Sequence, residues 1–89
     1  MSAWAKVEEG WALNLDGSNA AAVFTLPRLE VRASAVGWFS LCYLEDGTRS
    51  ERSGCPADSV PGAKAAALDQ AARLLGPAHA PALRRAGAR

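Results

Sequence analysis

The sequence predicts a single α+β domain in which an antiparallel sheet of three or four strands packs against one C-terminal, alanine-rich helix. Two features predict this architecture. Apolar and polar residues alternate over much of the first half of the chain, which is typical of strands with one buried face. Residues 60–75 then show the spacing of apolar residues expected for a helix. The 89 residues suffice for one small domain, which we place at residues 1–76.

The first predicted element is a β-hairpin. Residues 10–16 alternate large apolar with small or polar side chains, and residues 16–19 are rich in turn formers. Residues 21–26 resume an apolar pattern that includes Phe24, and Pro27 ends it because proline cannot donate to a strand ladder. We therefore predict that residues 10–16 pair with residues 21–26.

The central predicted strand is residues 37–44, whose apolar residues would occupy both faces of a strand. Asp46-Gly47 follows and predicts a type I′ hairpin turn. Residues 49–53 are polar and charged, which suits a return strand at the edge of the sheet. Residues 28–35 also alternate and predict either a short extra strand or an extended connection.

The predicted helix begins after Asp58 or Ser59, both of which are favoured at N-caps, and carries Pro61 in its first turn. It ends before Gly76, a residue type typical of helix C-termini. Its buried face consists mostly of alanines, so the helix is expected to lie close to the sheet. The sheet must then fill the core with its aromatic residues Trp11, Phe24, Trp38 or Phe39, and Tyr43.

The charge distribution separates the domain from the end of the chain. Residues 1–76 carry seven basic and nine acidic side chains, whereas residues 77–89 carry three arginines and no acidic residue. Residues 77–89 also contain two prolines and no clear periodicity, so we predict a basic, flexible tail. The mildly acidic balance of residues 1–76 argues against a domain that binds duplex nucleic acid.

The residues that commonly carry catalysis or bind metals are few. Cys42 lies mid-strand, where a thiol usually packs as a small apolar group. Together with Cys55 and His79 it provides one ligand fewer than a typical zinc site requires. We therefore predict that the chain is not an enzyme and binds neither a cofactor nor a metal. Its N-terminus lacks an apolar targeting segment, so a cytoplasmic protein without membrane contact is expected.

The candidate binding residues come from the aromatic and basic side chains, because Trp and Arg are enriched at binding hot spots. Three tryptophans in so short a chain either all belong to the core or include one at a partner-binding surface. Arginines on extended segments would adjoin such a surface, which would also suit single-stranded nucleic acid. The predicted partner-binding residues are Trp4, Arg28, Arg32, Trp38, Arg49 and Arg52.

Four segments carry a resemblance to known proteins: residues 10–15, residues 37–39, Asp46-Gly47 and residues 61–66. In this order the chain resembles small phage- and prophage-encoded proteins with a strand–strand–strand–helix arrangement, a group that includes some anti-CRISPR proteins. The resemblance covers about residues 10–76 and implies no shared catalytic residues.

What the resemblance implies is a non-catalytic interaction module. Such a module would inhibit a bacterial defence complex of the CRISPR–Cas type by covering part of its surface. The partner would then be a larger bacterial protein or ribonucleoprotein complex. The alternative is a nucleic-acid-binding accessory protein that uses aromatic residues of the sheet and arginines. A homodimer that pairs through a sheet edge or an exposed tryptophan is a further possibility.

Overall fold

The described part of the chain is defined by a computed structural model. The described residues are 4–35, 37–52 and 59–87, without the side chains of Ser34 and Arg52. Cys55 and Asp58, which the sequence assigns to a loop and to a helix cap, lie outside the described residues. Within the described residues, five antiparallel strands form one open sheet and two helices follow them. The predicted α+β class is confirmed, whereas the numbers of strands and helices exceed the prediction.

The strands follow one another across the sheet in chain order, each antiparallel to the next. Two α-helices follow the strands in the sequence and are joined by a short 3₁₀ turn at Pro77–His79. The elements are β1 (Ala5–Val7), β2 (Gly10–Asn14), β3 (Arg28–Ser34), β4 (Gly37–Tyr43), β5 (Arg49–Arg52), α1 (Val60–Leu75) and α2 (Ala80–Gly87). No helix in the described part of the chain is both long and apolar enough to cross a membrane.

The predicted hairpin between residues 10–16 and 21–26 is wrong. β2 pairs instead with β1 on one side and with β3 on the other, and residues 21–26 belong to a loop. β3 is the better partner because it is a longer strand and places two fully buried side chains, Leu29 and Val31, opposite β2. β1 has only three residues, too few for an alternating pattern to reveal it.

The turn between β4 and β5 also differs from the prediction. Gly47 has a φ of +88°, whereas no non-glycine residue in the described segments has a positive φ. A type I′ turn would need positive φ at both central residues. The backbone N–H of Leu44 instead donates to the Thr48 carbonyl at 2.8 Å, and that of Gly47 donates to the Leu44 carbonyl at 2.9 Å. This longer connection is a type I turn followed by a glycine bulge.

The core lies between one face of the sheet and α1. Leu29, Val31 and Cys42 from the sheet are fully buried against the small side chains of Ala63 and Ala67. The predicted alanine face of the helix is therefore confirmed at these positions. Small side chains let the helix approach the sheet closely, and the larger sheet residues fill the space between the two layers.

A buried polar contact sets the position of α1 on the sheet. The Ser40 hydroxyl donates to the Gln70 side-chain oxygen at 2.6 Å, and the Gln70 amide reaches the Ser50 hydroxyl at 3.3 Å. Gln70 thereby links α1 to both β4 and β5. Because buried polar groups must be paired, this contact favours one register of the helix over its neighbours.

Residues 77–89, predicted to be a basic, flexible tail, contain the 3₁₀ turn and α2 instead. Leu83 is buried in the core cluster, and Ala82 and Ala86 pack against that cluster. The spacing of these three residues gives α2 one apolar side, which the two prolines obscure in the sequence. A hydrogen bond between His79 and Glu45 joins the 3₁₀ turn to the loop after β4.

Replacing Leu83 with alanine measures how firmly α2 is attached. Leu83→Ala is expected to lower the free energy of unfolding by about 2–3 kcal/mol, since it removes a buried leucine side chain. Urea denaturation followed by circular dichroism measures the change. Leu74→Ala is the matched control, because Leu74 is 45% exposed and its loss should cost less than about 1 kcal/mol. Equal effects of the two substitutions would contradict the attachment of α2.

Candidate functional site

The sheet face opposite the helices carries a partly buried network of charges on β3. Arg28, Glu30 and Arg32 occupy alternate positions of this strand and therefore share one face. The Arg28 Nε and the Arg32 Nε each donate to a Glu30 oxygen at 2.8 Å. Burial opposes the charge of Arg32, but the hydrogen bond to Glu30 and the nearby negative charges outweigh it and raise the Arg32 pKa. Arg32 also pairs with Glu9 at 3.4 Å.

Arg28 connects this network to the loop between β2 and β3. Its Nη1 lies 3.0 Å from each of three acceptors, the Asn14 side-chain oxygen and the carbonyl oxygens of Ala20 and Val23. The Asn14 amide donates to the same Val23 carbonyl at 3.0 Å. The guanidinium carbon of Arg28 also lies 4.6 Å from the centre of the Phe24 ring. One buried side chain thus fixes the conformation of the loop.

The loop held in this way presents large apolar side chains to solvent. Val23 is 47% exposed, Phe24 56% and Leu26 36%. The Phe24 ring packs edge-on against Tyr43, with ring centres 5.1 Å apart. Arg49 lies opposite Tyr43 in the strand register and is exposed, without an ion pair to any described residue. These five residues are called the Phe24 surface below. Clustered exposed apolar side chains on a small protein often mark an interaction site.

The six residues predicted to bind a partner do not share one surface. Trp4 is buried in the core cluster, and Trp38 is half-buried and packs against that cluster. Both lie on the side of the sheet that the helices cover.

The four predicted arginines lie on β3 and β5. Arg28 is buried and Arg32 is half-buried, and Glu30 brings their side chains together. Arg49 is exposed on the Phe24 surface. Arg52 ends β5, and its side chain lies outside the described residues. A role of these side chains in binding stays a prediction.

The sequence reasoning assigned Phe24 to the core and did not single out Val23 or Leu26 as surface residues. Their exposure has one signal in the sequence. The three apolar residues stand between the turn formers of residues 16–19 and Pro27, a short span bounded on both sides by strand breakers. A segment so bounded is as compatible with a loop as with a strand.

Cys42 packs as an apolar side chain. It is fully buried, and burial raises the pKa of its thiol, which therefore stays protonated at neutral pH. The described segments contain no group of three or more His, Cys, Asp or Glu side chains placed to hold a metal ion. Cys55, the other cysteine considered above, lies outside them.

Comparisons with protein-family models, with curated proteins and with solved structures found no match for this chain. Function must therefore be inferred from the chain's own residues. The Phe24 surface offers apolar contact area, aromatic edges and one uncompensated guanidinium. These groups bind by contact and charge, and they contain no nucleophile with an adjacent base.

Proposed function

We propose that this chain is a non-catalytic protein-interaction module that binds a larger protein through the Phe24 surface and thereby covers part of that partner. The observation that carries the proposal is the exposure of Val23, Phe24 and Leu26 on a loop fixed by the buried Arg28 side chain. A loop that is already ordered loses little conformational entropy when it binds, which favours affinity. Aromatic and arginine side chains are also the groups that contribute most to interfaces.

The charges of the surface define the partner. Glu30 and Glu9 compensate Arg28 and Arg32, so among the described side chains of this face Arg49 is the guanidinium that is free to pair. We expect the partner to offer an apolar pocket for Phe24 and a carboxylate beside it for Arg49. The same compensation counts against the nucleic-acid alternative, because binding along a nucleic-acid backbone requires a series of free basic side chains.

The specific form of the proposal is an inhibitor of a bacterial defence complex. It rests on the resemblance of the sequence to phage-encoded proteins that include anti-CRISPR proteins. Blocking a surface requires a rigid contact patch and no catalytic residue, which suits the Phe24 surface. This form places the chain in the bacterial cytoplasm, where such a complex acts.

Replacing Phe24 tests the proposed surface directly. Phe24→Ala is expected to weaken partner binding by about 30-fold or more, the effect of losing an aromatic hot spot of about 2 kcal/mol. Its free energy of unfolding should change by no more than about 1 kcal/mol, because the ring is mostly exposed. Leu74→Ala is the matched control, since Leu74 is a similarly exposed apolar residue on α1.

The measurement is affinity capture from a bacterial lysate with the tagged chain, with and without nuclease, followed by mass spectrometry. We expect a stoichiometric protein that survives nuclease, is lost with Phe24→Ala and is retained with Leu74→Ala. Recovery that disappears with nuclease would favour the nucleic-acid alternative. Equal capture by the two variants would contradict a role for the Phe24 surface.

A phage assay tests the specific form of the proposal. Cells with an active CRISPR–Cas system that targets a phage should give more plaques when they express this chain. The increase should disappear with Phe24→Ala and persist with Leu74→Ala. An unchanged plaque count with well-expressed protein would exclude inhibition of that system.

A further inference from the structure

Both lysines of the chain lie beside one tryptophan ring. The Nζ of Lys64, on α1, is 4.0 Å from the centre of the Trp11 ring, and the Nζ of Lys6, on β1, is 5.6 Å from it. Lys64 also lies 5.6 Å from the Trp4 ring. This cluster belongs to the helix-covered side of the sheet, since Trp11 packs against the core there. It is therefore separate from the Phe24 surface.

The ammonium of Lys64 has hydrogen-bond donors without acceptors. It makes no hydrogen bond or ion pair with any described residue, although an ammonium carries three donors. Every fully buried side-chain nitrogen or oxygen in the described segments has a hydrogen-bond partner. Because the Lys64 nitrogen has no such partner, it must be in contact with solvent. Partial burial lowers its pKa, as expected when a charge loses water without gaining an anion.

Lys6 adds a second positive charge near the same ring. Its Nζ reaches the carbonyl oxygens of Val7 and Gly10 at 3.3 and 3.4 Å, long contacts that leave donor capacity free. Neither lysine forms an ion pair with a carboxylate among the described residues, so the two charges are offset by the indole faces and, for Lys6, by the two backbone carbonyls. Cation–π attraction replaces part of the lost hydration and supplies no hydrogen-bond acceptor.

We propose that Lys6 and Lys64 form a binding site for a doubly charged phosphate group beside the Trp11 ring. Two ammonium groups match two negative charges, and a phosphate supplies the acceptors that Lys64 lacks. Lysine binds phosphate as a flexible point charge, so both side chains adjust to one ligand by rotation about their aliphatic bonds. The group belongs either to a soluble phosphate monoester or to a phosphatidate headgroup.

The test follows the indole N–H signals of Trp4 and Trp11 by NMR while inorganic phosphate is added at mildly alkaline pH. The comparison is chloride at the same ionic strength. We expect saturable shifts with phosphate alone. Lys64→Met should weaken phosphate binding at least about tenfold, because a charge-assisted hydrogen bond is lost. Arg84→Met, which removes one charge from an exposed position of α2, should leave the affinity unchanged.

Two further variants separate binding from folding. Lys64→Arg keeps the charge and should retain phosphate binding. If Lys64→Met does not fold, Lys6→Met replaces it as the test and should weaken phosphate binding. Shifts that fail to saturate or that match those in chloride would overturn the site. Equal losses with Lys64→Met and Arg84→Met would also overturn it, since they would indicate only nonspecific attraction.

The source of the phosphate is decided by parallel arms with a nucleoside monophosphate and with phosphatidate-containing phosphatidylcholine vesicles. Saturable binding of the monophosphate identifies a soluble ligand. Flotation with vesicles, abolished by Lys64→Met and unaffected by Arg84→Met, identifies a lipid headgroup. Absence of both kinds of binding would overturn the proposal.

Discussion

Gly10→Ala is expected to lower the free energy of unfolding of this protein strongly, because a β-carbon at this position has no room. It would lie 1.9 Å from the Val31 carbonyl oxygen and 3.1 Å from the Arg32 Cα. Both are backbone atoms of β3, so no side-chain rotation relieves the contact. The two strands must separate or shift where Gly10 pairs with Arg32. We expect a loss of at least about 3 kcal/mol, against about 4–13 kcal/mol for a domain of this length.

The glycine at position 47 provides the control for this substitution. Gly47 has a φ of +88° with no atom within 4 Å of an added β-carbon, so Gly47→Ala tests backbone strain alone. Its expected cost is about 1–2 kcal/mol. Gly10 is not among the glycines with positive φ, so only the close approach of β3 explains its requirement. Urea denaturation measures the free energy of unfolding of both variants. An equally small loss for the two would contradict the close approach of β2 and β3 at Gly10.

The elements that were predictable from the sequence depend on local pattern. α1 follows from the alanine spacing and from Ser59, whose hydroxyl accepts a hydrogen bond from the Gly62 N–H at 3.2 Å. β4 follows from apolar residues that occupy both faces of a strand. In each case the deciding signal lies within the segment itself, so no knowledge of its neighbours is needed.

The pairing of β2 was not predictable in this way. Residues 21–26 are more apolar than residues 28–34, and hydropathy therefore favours them as the partner strand. β3 becomes the partner because the buried side chains of Arg28 and Glu30 neutralise each other on one face while Leu29 fills the core on the other. Whether two charged residues neutralise each other depends on their positions in the folded structure. A hydropathy pattern does not contain those positions, so it predicts that both residues are exposed.

The positions of Trp4 and Phe24 were not predictable from the sequence for a related reason. Trp4 was predicted to lie either in the core or at a partner-binding surface and is buried in the core cluster, whereas Phe24 was predicted in the core and is exposed. The alanines of α1 leave room that a large ring such as Trp4 can occupy. On the opposite face of the sheet no helix packs in the described part of the chain, so Phe24 covers Arg28 and keeps one side in water.

Arg28→Met should lower the free energy of unfolding by about 3–5 kcal/mol, the usual result of breaking a buried ion pair. The substitution leaves the Glu30 carboxylate buried with one donor fewer, and it removes the donor shared by the Ala20 and Val23 carbonyls. Arg32→Met is the matched control on the same strand and face. Arg32 is half-exposed, so its loss is expected to cost about 1 kcal/mol. Equal losses in urea denaturation would contradict the central role of Arg28.

The double variant Arg28→Met/Glu30→Gln separates the two tasks of Arg28. Removing the carboxylate charge should recover part of the stability, because the single variant leaves the buried Glu30 carboxylate with the half-exposed Arg32 as its remaining ion-pair partner among the described residues. The loop would still lack the hydrogen bonds from Arg28, since methionine donates none to the Ala20 and Val23 carbonyls. We therefore expect a folded double variant that retains Phe24 and Arg49 but captures the partner as poorly as Phe24→Ala. Full capture by this variant would show that binding depends on the exposed side chains alone and that the conformation of the loop is set by the partner.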